Sequence, residues 1–191
     1  MAFNIIKGKD PIWETDKYDV ILVGTSIFCM LSNGFQSKIK NKYPYIDKIN
    51  DSTKYGDRRK LGKRLTIDGN PIISLLYISE YPNSKRVVLH YDALEHALAT
   101  ANAEFKGKRV LTTVLGSSKF DGNGEHDKVL EIMRKTLKDV DVDVYDYEQI
   151  DRRKEIKVNL RKIRDLSTVD REKYKSLWKR KDEILKKLYL S

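Results

Sequence analysis

Short apolar runs, separated by polar segments marked with glycine, organise the first 147 residues. Phe3, Ile5 and Ile6 open the chain and stop at Lys7-Gly8, which suits a first strand. Residues 18–23 are nearly all β-branched, aliphatic or aromatic and end at Gly24. So short and continuous a run predicts a strand buried on both faces. Ile27, Met30, Leu31, Phe35 and Ile39 recur at spacings of three and four, with a turn expected at Ser32-Asn33-Gly34 and a helix from about Phe35 to Tyr43-Pro44. Residues 47–64 are polar, carry Arg58, Arg59, Lys60, Lys63 and Arg64, and read as a solvated loop or as a flap that meets an anion.

Three further strands follow at residues 64–67, 72–78 and 86–90, the first two joined by a turn at Asp68-Gly69-Asn70. Ala93, Leu94, Ala97, Leu98, Ala101 and Phe105 form a helical stripe. Residues 109–115 repeat the buried-strand pattern, Val129, Leu130, Met133 and Leu137 mark a helix, and the Val/Asp alternation of residues 140–147 suits an edge strand. Strands interleaved with helices predict a three-layer α/β/α domain. The consecutive strands of residues 64–90 make its sheet mixed.

Charge alters this picture at one end only. The chain has 191 residues, 38 basic and 28 acidic, for a net charge of +10. Residues 151–191 hold 15 basic and 7 acidic side chains, so residues 1–150 hold 38 − 15 = 23 and 28 − 7 = 21, a net of +2. The expected division is a domain at residues 1–150 and a basic two-helix extension at residues 151–191. Ser167 to Asp170 reads as a capping box, and Tyr174, Leu177, Trp178, Ile184, Leu185 and Leu188 as one apolar stripe. That stripe suits packing on the domain or on a second subunit as a homo-oligomer. The lysine face is a candidate phosphate-backbone surface for nucleic acid. Cys29 is the single cysteine, which excludes an internal disulfide and fits a reducing, cytoplasmic setting. No apolar run approaches the ~18 residues that span a bilayer, so no membrane association is expected. The N-terminus lacks the order of a signal peptide.

Two junctions carry candidate chemistry. After the strand at 109–115 comes a loop with Gly116, Ser117, Ser118, Lys119, Phe120, Asp121, Gly122, Asn123 and Gly124, then a helix start. Glycines that let backbone N–H groups approach an anion, followed by a helix N-terminus, make a phosphate cradle; the alternative is a long polar turn whose glycines supply positive φ. Neither GxxxxGK[ST] nor GxGxxG is present. The second junction, Gly24-Thr25-Ser26 continuing to Asn33-Gly34, follows the other core strand, and ligands in α/β sheets sit beyond such strand ends. His126 is placed for acid–base work near a bound phosphate, or simply occupies the first helical turn beside Glu125 and Asp127. Asp121 is positioned to activate water, or to hydrogen-bond its own turn. No cluster has metal-ligand spacing, and neither a metal nor a cofactor is expected.

The run from Tyr18 through Gly24-Thr25-Ser26 and Leu31-Ser32-Asn33-Gly34-Phe35 to Tyr43-Pro44 resembles the first ligand loop of macro domains. Residues 91–98, the strand at 109–115 and the loop at 116–124 are similar to the second half, nearest to the ADP-ribose 1″-phosphate phosphatase-like branch. The resemblance implies a cleft for ADP-ribose, with residues 116–124 around the diphosphate and distal ribose, Asn33 and Gly34 opposite, and Phe120 against a ribose or the base. It implies an acidic contact to adenine after the first strand, for which Asp10 is the candidate. Hydrolytic members usually carry asparagine where this chain reads Gly24-Thr25-Ser26. The classes left standing are a phosphatase or ADP-ribosyl hydrolase with Asp121 and His126 managing the proton, a non-catalytic reader, and a nucleic-acid or assembly module acting through the tail.

Overall fold

The computed structural model describes residues 1–32, 34–80, 86–118 and 121–146. Six strands form one sheet: β1 (Phe3–Lys7), β2 (Val20–Ser26), β3 (Arg64–Ile67), β4 (Ile72–Ser79), β5 (Arg109–Thr113) and β6 (Asp141–Asp146). Their order is β1-β6-β5-β2-β4-β3, parallel throughout except for the antiparallel β3–β4 pair. The mixed sheet follows from connection length. Four residues join β3 to β4, enough for a hairpin and far too few for a parallel crossover.

Helices cover both faces. The run of β2 supplies both cores because successive side chains point to opposite faces. Val20 and Leu22 pack with Leu94, Leu98, Val129 and Met133 of α3 (Tyr91–Glu104) and α4 (His126–Thr136). Ile21 and Val23 pack with Phe35 and Ile39 of α1 (Gly34–Lys42) and with Ile46 of α2 (Tyr45–Asp51). This is the three-layer arrangement expected from the pattern.

Four local expectations change. Gly24, Thr25 and Ser26 do not form a loop; they complete β2, pair with β4 and are buried. Pro44 ends α1 but also starts α2 at its N-cap, where a missing N–H costs nothing, so the polar stretch after residue 44 holds an unforeseen helix. Its inward residues are only Ile46 and Asn50, too few for periodicity to reveal.

Residues 86–90 are not a strand: only Leu89 makes a bridge, to Ser79. The N–H groups of Val88 and Leu89 both donate to the Gly122 carbonyl instead, at 2.9 and 3.0 Å. The alternating β6 lies inside the sheet, between β1 and β5. On its polar face Asp143 accepts from Tyr18 Oη at 2.6 Å and from Asn4 Nδ2 at 2.8 Å, which ties it to the neighbouring elements. Burial, and then the Asp143 bond, holds the Tyr18 phenol above its ordinary pKa. The expected basic two-helix extension at residues 151–191 lies outside the described residues.

Candidate functional site

β2 and β5 are neighbours in parallel, so the chain leaves both at the same edge of the sheet. The segment after β2 leads to α1, and the segment after β5 leads to α4. The two are tied together by Gln36, a buried residue in the first turn of α1. Its Nε2 donates to the Gly24 carbonyl and to Asp121 Oδ1, each at 2.7 Å. The other carboxylate oxygen, Asp121 Oδ2, accepts from the Gly116 N–H at 3.0 Å. Asp121 thus closes its own loop and clasps α1.

The surroundings of Asp121 are dense with protein, although part of the residue's surface stays accessible. Burial pushes its carboxyl up to about 6, against the opposing pull of the Gly116 and Gln36 hydrogen bonds. Desolvation therefore outweighs hydrogen bonding here.

Within the loop, most amides are committed internally. The Ser118 carbonyl accepts from the N–H groups of Asp121, Gly122 and Asn123. Ser117 N–H reaches Val114 and Gly124 N–H reaches Gly116. The glycines serve packing against Leu89. Gly116 adopts φ +69°, and a Cβ there would lie 2.7 Å from Leu89 Cδ1; a Cβ on Gly122 would lie 2.6 Å from the Gly116 carbonyl oxygen. Asn123 takes φ 52°, a region asparagine tolerates. The apolar run Val87-Val88-Leu89 carried no sign that Leu89 would be the plug of this loop.

His126 stands apart from the loop's interior. Nδ1 lies 3.1 Å from Asp127 and Nε2 lies 3.0 Å from Asp146, so as imidazolium the ring donates to a carboxylate at each nitrogen. The Asp127 bond first, and the Asp146 bond second, raise its pKa. Asp10 sits at the end of the segment after β1, where it caps a short 3-10 turn through Ile12 N–H and pairs with Lys38.

Near the end of β2, Thr25 Oγ1 donates to the Met30 carbonyl at 3.2 Å. The hydroxyls of Ser26 and Ser79, at the ends of β2 and β4, are buried without a hydrogen-bond partner among the described residues. Gly34 begins α1 at φ +52°. Asn33, Lys119 and Phe120 lie outside the described residues.

The basic cluster of residues 58–64 is largely committed to pairing. Arg58 meets Glu80, Arg59 chelates Asp57, and Arg64 binds Glu104. Lys60 Nζ lies 3.0 Å from Cys29 Sγ, 2.9 Å from Thr53 Oγ1 and over the Tyr77 ring. Cys29 is buried, at φ 57° and in a polar nest, its carbonyl taking a bond from Asn50 Nδ2 at 2.8 Å. Among the described residues no group of three or more His, Cys, Asp or Glu gathers to hold a metal ion, and no helix is long and apolar enough to cross a membrane.

No family model and no curated protein matches the sequence. Solved structures do match its fold. The macrodomain of Mycobacterium tuberculosis DarG superposes with a TM-score of 0.60 at 17% identity, covering 78% of this chain and 100% of that one. The fold is the macrodomain fold. The macrodomain of Thermus aquaticus DarG gives a TM-score of 0.56 at 13% identity, covering 75% and 97% of the two chains. Thermosipho africanus DarTG, solved in complex with ADP-ribose, gives 0.57 at 14% identity over 74% of this chain and 41% of that chain.

Proposed function

We propose that this protein binds ADP-ribose, or a phosphorylated derivative of it, above the carboxyl ends of β2 and β5. The observation that carries this reading is the Gln36–Asp121 contact, which holds the segments after two adjacent parallel strands at a fixed separation. Strand ends of this kind are where α/β sheets take ligands. The macrodomain fold, with a similar structure solved around ADP-ribose, supports the same ligand. In this reading residues 1–150 are the ligand-binding domain. Gly34 belongs to one wall, and Ser117 and Ser118 to the other.

The amides of residues 116, 117 and 121–124 are engaged within the loop, so in this reading the diphosphate is met by other groups of the two segments. The buried Ser26 hydroxyl is an additional donor in need of a partner at the foot of the first wall. Asp10 reaches adenine only by sharing the carboxylate held by Lys38. Isothermal titration with ADP-ribose tests the reading. A saturable heat is expected, and silence at about millimolar ligand overturns it.

Hydrolysis, as an ADP-ribose 1″-phosphate phosphatase or an ADP-ribosyl hydrolase, is a second reading favoured by Asp121. A carboxyl at about 6 has the proton affinity of a general acid–base near neutral pH. His126, clasped by two carboxylates, suits a fixed cation better than a base. Phosphate or ADP-ribose release by the wild type that Asp121→Asn abolishes, with binding retained, supports catalysis; equal release by both variants overturns it.

The net charge of +8 on residues 151–191 favours an appended surface for nucleic acid. Salt-dependent binding lost on deletion of those residues is the expected result; binding that survives deletion excludes the tail.

A further inference from the structure

A cavity of about 560 Å3 opens between residues 61–62, the first turn of α3 and the start of α4. None of its lining belongs to the proposed ADP-ribose groove, but its wall at His90 and Tyr91 continues directly from Val88 and Leu89, on which the loop after β5 rests. Tyr91 joins the two helices. Its hydroxyl accepts from the Glu125 N–H at 2.9 Å, and its ring lies 4.0 Å beneath Lys128 Nζ.

Apart from the Tyr91 hydroxyl, bonded to Glu125, and the Lys128 ammonium over the Tyr91 ring, the polar side chains of the lining are exposed and little engaged. Among the described residues Lys128 has no carboxylate partner, and the His96 ring and the Asp92 carboxylate make no hydrogen bond; His90 faces Glu80 only at 3.6 Å. Each imidazole carries at least one N–H donor in any tautomer, the ammonium carries three, and the carboxylate only accepts. Lysine binds phosphate as a point charge, and a carboxylate takes the hydroxyls of a sugar. The Tyr91 ring and Leu61 supply apolar contact beside them. The volume lies within the range of small-molecule sites, ~300–1,000 Å3.

We propose that this cavity is a second ligand site, which takes a sugar phosphate with Lys128 and His96 on the phosphate, Asp92 on the sugar hydroxyls and Tyr91 against the ring. It is independent of the ADP-ribose reading.

Only three histidines occur in the chain, two of them at this cavity, so imidazole NMR reports on it directly. Ribose 5-phosphate and unphosphorylated ribose are titrated into the full-length protein and into Lys128→Ala, a substitution at an exposed side chain. Ribose 5-phosphate moves the His90 and His96 signals saturably in the wild type. Ribose binds at least about tenfold more weakly, Lys128→Ala weakens ribose 5-phosphate about tenfold, and ADP-ribose affinity is the same in both proteins. Absence of saturable movement up to about 50 mM overturns the proposal. So does equal binding of the two sugars, unchanged affinity in Lys128→Ala, or movement of His126 alone. Failure of ADP-ribose to bind either protein overturns the groove reading and leaves the sugar-phosphate result intact.

Discussion

Gln36 Nε2 donates to Asp121 Oδ1 at 2.7 Å across 85 positions of sequence, joining the first turn of α1 to the loop after β5. The same nitrogen holds the Gly24 carbonyl, so one amide connects the end of β2, the start of α1 and the second loop. Gln36→Ala strands the Gly24 carbonyl and one carboxylate oxygen in a buried setting. The expected cost is about 1–3 kcal/mol in urea unfolding, together with weaker ADP-ribose binding. Wild-type stability and affinity in Gln36→Ala would sink the clasp.

The raised pKa of Asp121 gives stability a definite pH slope. The folded protein holds this proton more tightly than the unfolded chain, so the stabilisation is complete below the ordinary value of 3.8 and is lost as pH rises through about 6. Asp121→Asn removes that slope. Denaturant midpoints from pH 4 to 7 check it: the difference between wild type and variant must change across this window in the stated direction.

His126 gains from protonation for a different reason. Asp127 and Asp146 raise its folded pKa above 6.5, so its contribution is fully present below 6.5 and lost as pH rises through the raised value. NMR titration of Asp146→Asn is expected to return the imidazole toward its ordinary pKa. An unchanged titration midpoint would show that Asp146 does not hold the ring.

Gly122→Ala drives a methyl group to 2.6 Å from the Gly116 carbonyl oxygen and 2.9 Å from Leu89 Cβ. Since the first neighbour is backbone, the loop must shift, at about 1–3 kcal/mol. Calorimetry should show a lower Tm, and ADP-ribose affinity should fall with it. Full retention of both would show that the loop is loosely packed.

Ile46 is fully buried and is the main apolar anchor of α2. Ile46→Ala is expected to cost about 2–5 kcal/mol. A loss below about 0.5 kcal/mol would mean that α2 adds nothing to the core.

How much of this was legible in the residues differs from element to element. Residues 18–23 declared a doubly buried strand because few chain positions in a folded protein are apolar on both faces without one. The stripe at Ala93, Leu94, Ala97, Leu98 and Ala101 declared α3 because each residue meets the sheet at helical spacing, and all five are buried. The tight turn at residues 68–70 made β3 antiparallel to β4 and the sheet mixed. The glycine loop after β5 was also readable, since it follows a core strand, whereas Gly24-Thr25-Ser26 proved to be the end of β2.

Local pattern alone determined the six strands, α1, α3, α4 and the layered class, because burial of one face or two leaves a period in the sequence. Tertiary structure decided the rest. It placed β6 inside the sheet by giving Asp143 the partners Tyr18 and Asn4. It turned Leu89 from a strand residue into the plug of a glycine loop, and it brought Gln36 to Asp121. Each of these depends on a contact between distant positions, and such a contact leaves no period along the chain.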